Sequence, residues 1–337
     1  MIVAHTKMFV HPMNPLLSYA GTTLNALAAP LFALVIGVTI AVTGPQAAGP
    51  AERPSRRRYR RQTAVRAIVL ILLGLALDYL PSGVNIVLDY LGVAMLLLIP
   101  LLFLGTRTIL AIAAALLLLI PAIVTALRVL FPTALAQAPL PFYFLLDWTL
   151  LGVSYQALNF LTLMLLGLAL GRGGMRSRRL LKRLLLITPL FYLPLEAWRL
   201  VNRMPEFIFV RGGFAEVFRE VALTLAVFSL LILLLDFASG RTRRYAGAVL
   251  SPLTTMGRMA LSLYVLHLFV IAYVLTEFGR SISSTPAHGY AIQFAAVLIC
   301  WAFAALWWRL LGTGPLERLL GVMTLRHPLS SLWQPAR

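Results

Sequence analysis

Residues 108–131 read TILAIAAALLLLIPAIVTALRVLF, a run of 24 positions whose one charge, Arg128, lies near its end. A bilayer core about 30 Å thick is crossed by about 20 predominantly apolar residues in a helix, so this stretch predicts a transmembrane helix. Working outward, the turn Gly105-Thr106-Arg107 separates it from a second apolar run at 84–104, and Pro81-Ser82-Gly83 separates that from a third at 64–80. Runs at 22–43, 150–170, 184–201, 217–237, 257–278 and 289–311 have the same character. Residues 1–13, MIVAHTKMFVHPM, are too short to span alone and read as the second half of a helix. The expectation is an all-α, polytopic bundle of about ten transmembrane helices.

The composition agrees. Of 337 residues 60% are hydrophobic and only 12% charged, with a mean hydropathy of +0.88. A soluble domain of this size needs more charge to cover its surface. No polar block is long enough to fold separately, so residues 1–337 read as a single membrane domain. The start lacks the basic, apolar and small-residue order of a cleaved signal peptide, so the first spans direct insertion. One cysteine, Cys300, excludes an internal disulfide, and no Cys/His set of metal-ligand spacing exists.

The net charge of +18 would suggest nucleic acid in a soluble protein, but here the arginines sit between apolar runs. Arg53, Arg56, Arg57, Arg58, Arg60 and Arg61 fill one loop; Arg172, Arg176, Arg178, Arg179, Lys182 and Arg183 fill another; Arg241, Arg243 and Arg244 a third. With Arg107, Arg318 and Arg326 they fall on one side if each segment crosses once, and the positive-inside rule makes that side cytoplasmic. Both termini are then cytoplasmic, in a plasma membrane, and nucleic acid is not a partner. The opposite loops are 81–83, 132–149, 202–216 and 279–288.

Ionisable groups inside a bilayer are costly, and each is a functional hypothesis by default. Glu196 and Arg199, three apart, read as an ion pair that neutralises itself near the outer boundary. Asp78 lies near the outer end of its segment; Asp89 has no cation close in sequence and needs a partner from another helix. His5 lies in the first segment, with His11 further along it. His267 is ten residues into the segment at 257–278, about 15 Å deep at about 1.5 Å per residue. For both deep histidines the bland alternative is a satisfied helix–helix hydrogen bond. Imidazole is also the neutral side chain that accepts and returns a proton near pH 7, the property a base needs to deprotonate a hydroxyl or amine. Soluble nucleotide signatures are absent, and Gly171-Arg172-Gly173-Gly174 reads as a helix stop rather than a phosphate loop.

Several stretches together resemble the transmembrane acyltransferase superfamily, which includes heparan-alpha-glucosaminide N-acetyltransferase and the acyltransferase family 3 proteins. Met1-Ile-Val-Ala-His5-Thr6 looks like the end of that family's first helix. Ala29-Pro30-Leu31-Phe32 through Gly37 resembles its second-helix pattern Pro-x-Phe-x-x-x-x-Gly, and Arg66 to Leu104 follows its third and fourth helices. Gly257 to His267 is close to its late-helix pattern Gly-x-x-Ser-x-x-Tyr-x-x-His, and Gly314-Pro315-Leu316-Glu317 fits the tail of some relatives.

That resemblance implies transfer of an acyl group, acetyl above all, from cytoplasmic acyl-CoA to a hydroxyl or amine of an extracytoplasmic glycan or lipid-linked acceptor. No metal is implied. His5 would act as general base or carry the acyl group itself, with His267 and Tyr264 lining the same cavity. Arg258 and Arg66 would meet the phosphates of CoA, while His11, Asp89 and Asp147 would contact the acceptor. Two other readings stand beside it: a proton-coupled transporter or flippase, against which the lack of an internal repeat weighs, and a non-catalytic membrane protein whose polar groups join helices.

Overall fold

The computed structural model describes residues 1–10, 14–45, 55–202, 211–237, 239–279 and 286–324. Among the described residues the chain forms helices and turns and no strand. A short α1 (Ile2–Thr6) runs into a 3-10 turn (Lys7–Phe9), followed by α2 (Pro15–Thr43), α3 (Arg56–Asp78), α4 (Leu88–Leu98), α5 (Thr106–Leu130), α6 (Ala134–Gln137) and α7 (Leu140–Leu146). Then come α8 (Ala157–Gly171), α9 (Arg178–Val201), α10 (Phe214–Leu235), α11 (Gly240–Gly257), α12 (Ala260–Phe278), α13 (Pro286–Leu310) and α14 (Pro315–Met323).

Six of these, α2, α5, α9, α10, α12 and α13, are long and apolar enough to cross a membrane. The other expected spans are helical only in part and differ in length or charge; of 1–13, the helical residues among those described are Ile2–Thr6 and the 3-10 turn Lys7–Phe9. In α4 the helix gives way to a 3-10 turn at Ile99–Leu101, because Pro100 has no N–H to continue it. The helix α8 has 15 residues, since the chain ahead of it is extended at Gln156. The first turns of α3 hold Arg56, Arg57, Arg58, Arg60 and Arg61. Two stretches expected as loops are also helical: 132–149 contains α6, α7 and the start of a π-turn at Asp147–Leu151, and the basic stretch before Gly257 forms α11.

The helices cluster into two compact units drawn from interleaved stretches: Met1–Ala26, Leu72–Ile86 and Arg244–Arg337 in one, Leu27–Ile71 and Val87–Arg243 in the other. In the first unit, Met259, Leu263, Cys300 and Ala304 form a buried cluster on which Ile2 packs. The Cys300 thiol is thus packing material. The α13 amide of Gln293 donates to the Val3 carbonyl at 3.0 Å, and a Cβ at Gly289 would strike the Phe9 carbonyl. Those two contacts seat α1 and its 3-10 turn on α13.

In the second unit α2 and α8 meet backbone to backbone. A Cβ at Gly37 would strike the Met164 carbonyl, one at Gly167 the Leu34 carbonyl, and one at Gly171 the Ala41 methyl. Small residues four apart, Ala33, Gly37 and Ala41 against Gly167 and Gly171, are what lets two helices approach this closely where lipid supplies no hydrophobic drive. Gly167→Val is therefore expected to lower stability by about 1–3 kcal/mol through overpacking. Gly247→Ala, with nothing within 4 Å of the added Cβ, is the control in thermal melts in detergent and should not lower stability, since Ala favours a helix interior over Gly.

The same unit buries charge. Glu196 accepts from Arg199 Nε at 3.0 Å and from its Nη2, and its second oxygen accepts from Arg219 Nη1 at 3.1 Å. The pair expected within α9 is thus a triad joining α9 to α10. Arg211 and the Gly212 N–H both donate to Glu216, at 2.7 and 2.6 Å. The guanidinium of Arg172, just past α8, donates to the Leu102 and Leu104 carbonyls after α4, satisfying helix-end oxygens that would otherwise lack donors.

Candidate functional site

The buried stripe of α12 comprises Leu263, Tyr264, His267, Leu268 and Ile271. Recurrence at three and four residues puts them on one helix face. His267 is therefore carried inward with the apolar side chains, and none of its surface is exposed. His5, on α1, remains half-buried. Its Nδ1 lies 2.9 Å from Nε2 of His267. The ring planes are within 22° and the centroids 5.1 Å apart, the arrangement of two imidazoles joined edge to edge through facing nitrogens. Tyr264 stands edge-on to His267, centroids 5.3 Å apart.

The hydrogen-bond partners assign the tautomers. Nδ1 of His267 lies 3.1 Å from the Leu263 carbonyl, which can only accept, so that nitrogen carries the proton. Nε2 of His267 then holds a lone pair, and its contact with His5 requires Nδ1 of His5 to be the donor. Nε2 of His5 is left with a lone pair. The bland reading, a satisfied helix–helix hydrogen bond, accounts for His267, whose two nitrogens are both engaged. His5 keeps one basic nitrogen on the half-buried side of the pair.

A carboxylate that no sequence motif marks as functional holds the start of α12. Glu317 of α14 accepts from the Leu261 N–H at 2.7 Å, the Ser262 N–H at 3.1 Å and the Ser262 hydroxyl. The Leu316 N–H donates back to Ser262 Oγ at 3.1 Å. A carboxylate at the first turn of a helix satisfies orphan N–H groups and meets the positive end of the helix dipole. Gly314 is small because a Cβ there would strike Glu317 and Ser262. The tail motif Gly314 to Glu317 and the serine of the late-helix motif thus form one clamp on the start of α12, five residues before His267. Glu317→Ala is expected to lower stability by about 1–3 kcal/mol, the range for stranding buried donors, with Glu317→Gln intermediate; thermal melting of purified protein reads both.

Of the other sequence candidates, Arg258 lies in the same unit as the histidine pair, exposed, with its guanidinium 4.5 Å from the Trp308 ring centroid. Such stacking holds the cation without consuming its hydrogen-bond donors. Arg66 is half-buried on α3 and belongs to the other unit, as do Asp89 and Asp147. Asp89 has its expected partner from elsewhere in the chain, the Trp148 indole N–H at 2.9 Å. Asp147 accepts from the Tyr90 hydroxyl at 2.6 Å. Adjacent residues on α4 are thereby cross-paired with adjacent residues of the π-turn, and Arg128 donates to the Leu151 and Gly152 carbonyls where that turn ends. His11 lies outside the described residues.

Residues 170–327 match the family described as Protein of unknown function (DUF418). The matched stretch contains Arg258, Tyr264, His267 and Glu317, and begins well after His5. No curated protein and no solved structure matches the chain.

Two contributors escaped the sequence reading. Gln293 is the lone amide in the apolar run of α13, a signal that could have marked it as a helix-joining residue. Glu317 could not be assigned because its partners lie more than fifty positions away.

Proposed function

We propose that the chain is a membrane-embedded acyltransferase. It moves an acyl group, acetyl in the simplest case, from cytoplasmic acyl-CoA to a hydroxyl or amine of an extracytoplasmic glycan or lipid-linked acceptor. About ten passes with both termini cytoplasmic follow the arginine distribution. The observation that carries the reading is the 2.9 Å His5–His267 contact with its assigned tautomers. A lone pair on Nε2 of His5, backed by a second imidazole, is the equipment of a general base. The order of the motifs, which resembles that of transmembrane acyltransferases, is consistent with it.

In this mechanism the acceptor oxygen attacks the thioester carbonyl while Nε2 of His5 takes its proton. The added positive charge strengthens the Nδ1–H bond to Nε2 of His267, since a charge-assisted hydrogen bond is the stronger kind. The tetrahedral adduct collapses with cleavage of the C–S bond. Nε2 of His5 returns the proton to the departing thiolate, and the products are ester and free CoA. Arg258, in the same unit as the imidazole pair, is the candidate contact for CoA phosphates.

The test is release of free thiol from acetyl-CoA by purified protein in nanodiscs, together with acetyl label appearing in a glycan or lipid fraction. A thermal shift with acetyl-CoA is the accompanying binding measurement. No thiol release and no stabilisation at millimolar acetyl-CoA would overturn the reading in favour of proton-coupled transport, in which the same imidazole pair relays protons.

A further inference from the structure

Between two of the candidate spans, α10 and α12, lies α11, an 18-residue helix in which no residue is buried. Tyr245, Val249 and Leu253 form a stripe at four-residue spacing, exposed to 68%, 75% and 61%. Met256 continues the stripe and packs on the Met259–Leu263 cluster, which roots the helix at its C-terminal end. Arg244, Ser251 and Thr255 occupy the opposite face, flanked by Arg243 and Thr254, while Arg241 lies at the border. This is the pattern of a helix lying along an interface, apolar on one side and cationic on the other.

Two further observations say what covers the stripe. The first is tethering. Only residues 236–239 separate α11 from α10, and only Arg258 and Met259 separate it from α12. Among the described residues α11 is not one of the helices apolar enough to cross a membrane; if α10 and α12 do cross, both ends of α11 are held at the same surface, and its length of about 27 Å, at about 1.5 Å per residue, lies along that surface. The second is charge. Arg241, Arg243 and Arg244 crowd the N-terminal turns of α11, where the helix dipole already presents positive charge, an arrangement that opposes helix formation in isolation. Headgroup phosphates relieve both at once.

We propose that α11 is an in-plane membrane anchor. Its Tyr245–Val249–Leu253 stripe inserts into the cytoplasmic leaflet, and its arginines bind the phosphates of anionic lipid. The inference rests on the membrane assignment and is independent of acyl transfer. Because α11 leads directly into Arg258 and α12, lipid contact there also sets the position of the helix that carries Tyr264 and His267.

The test uses the full chain with single cysteines for an environment-sensitive fluorophore at Val249→Cys, Ser251→Cys and Phe269→Cys, the last on an exposed face of α12. Native Cys300 is buried, and mock-labelled wild type serves as the blank. The proteins are placed in nanodiscs of phosphatidylcholine with or without phosphatidylglycerol. The expected result is quenching of the 249 label by nitroxide lipid and of the 251 label by aqueous iodide. Lipid quenching at 249 should increase with phosphatidylglycerol and lose that increase in Arg241→Gln/Arg243→Gln/Arg244→Gln. Iodide quenching at both 249 and 251 would overturn the anchor, as would protection of 249 from both quenchers, which would indicate a protein partner or a second copy. Equal insertion in both lipid compositions would overturn the headgroup assignment. Loss of lipid quenching at 269 would instead remove the membrane assignment itself.

Discussion

His5→Ala is expected to reduce acyl transfer by about 10²–10⁴-fold in kcat, the range that a positioned general base contributes. The expectation follows from the tautomers. The Leu263 carbonyl holds the proton on Nδ1 of His267, which turns its Nε2 toward Nδ1 of His5 and leaves Nε2 of His5 as the base. His267→Ala removes the acceptor that orients His5 and spreads the charge it gains, so its loss should be smaller, about 10–100-fold, in line with removal of a group that supports another. His267→Gln, whose amide can donate to Leu263 and accept from His5, should recover part of that loss.

Because the two rings act as one unit, the double variant should be scarcely worse than His5→Ala alone; such residues are non-additive. A merely structural role for His267 would instead give multiplied losses that track a fall in melting temperature. Steady-state thiol release from acetyl-CoA, measured beside thermal melts, separates the two outcomes. Equal rates in wild type and His5→Ala would remove this imidazole from the chemistry.

The helical character of the chain was legible because long apolar runs constrain the backbone regardless of what they pack against: without water, only a helix satisfies its own N–H and C=O groups. Helix ends were less legible, since they depend on local events such as the missing N–H of Pro100 and the extended backbone at Gln156. The helix α11 was hidden for a different reason. Three arginines and Pro252 lower its hydropathy to that of a loop, and its periodicity shows only when the stripe from Tyr245 to Leu253 is taken alone.

The candidate site divides along the same line. Each histidine could be flagged as a polar group at membrane depth, but no spacing rule links positions 262 residues apart. Their pairing was an expectation only through the family resemblance. Asp89 could be said to need a partner, yet nothing in the sequence pointed to the Trp148 indole. The partners of Glu317 are backbone N–H groups of α12, which every residue of the chain possesses, so no sequence signal could single them out. Long-range polar geometry is set by packing, and packing is what a lone sequence conceals.

Glu196→Gln is expected to destabilise the protein by about 3–5 kcal/mol, the loss on removing one partner of a buried ion pair. The substitution preserves shape while taking away a negative charge that Arg199 and Arg219 both contact, their side chains being 10% and 7% exposed. Two buried guanidinium groups then meet a neutral amide where they met a carboxylate, and low-dielectric surroundings make that loss of attraction costly. The damage comes from the lost charge balance rather than from the lost bonds, and that distinction can be tested. The triple variant Glu196→Leu/Arg199→Met/Arg219→Met removes every charge of the triad and should be more stable than Glu196→Gln, because replacing a whole buried cluster by packed apolar groups is often neutral. Thermal and denaturant unfolding in one detergent gives the order. A triple variant less stable than the single one would mean that the triad contributes net attraction across α9 and α10, beyond the neutralisation of its own charges.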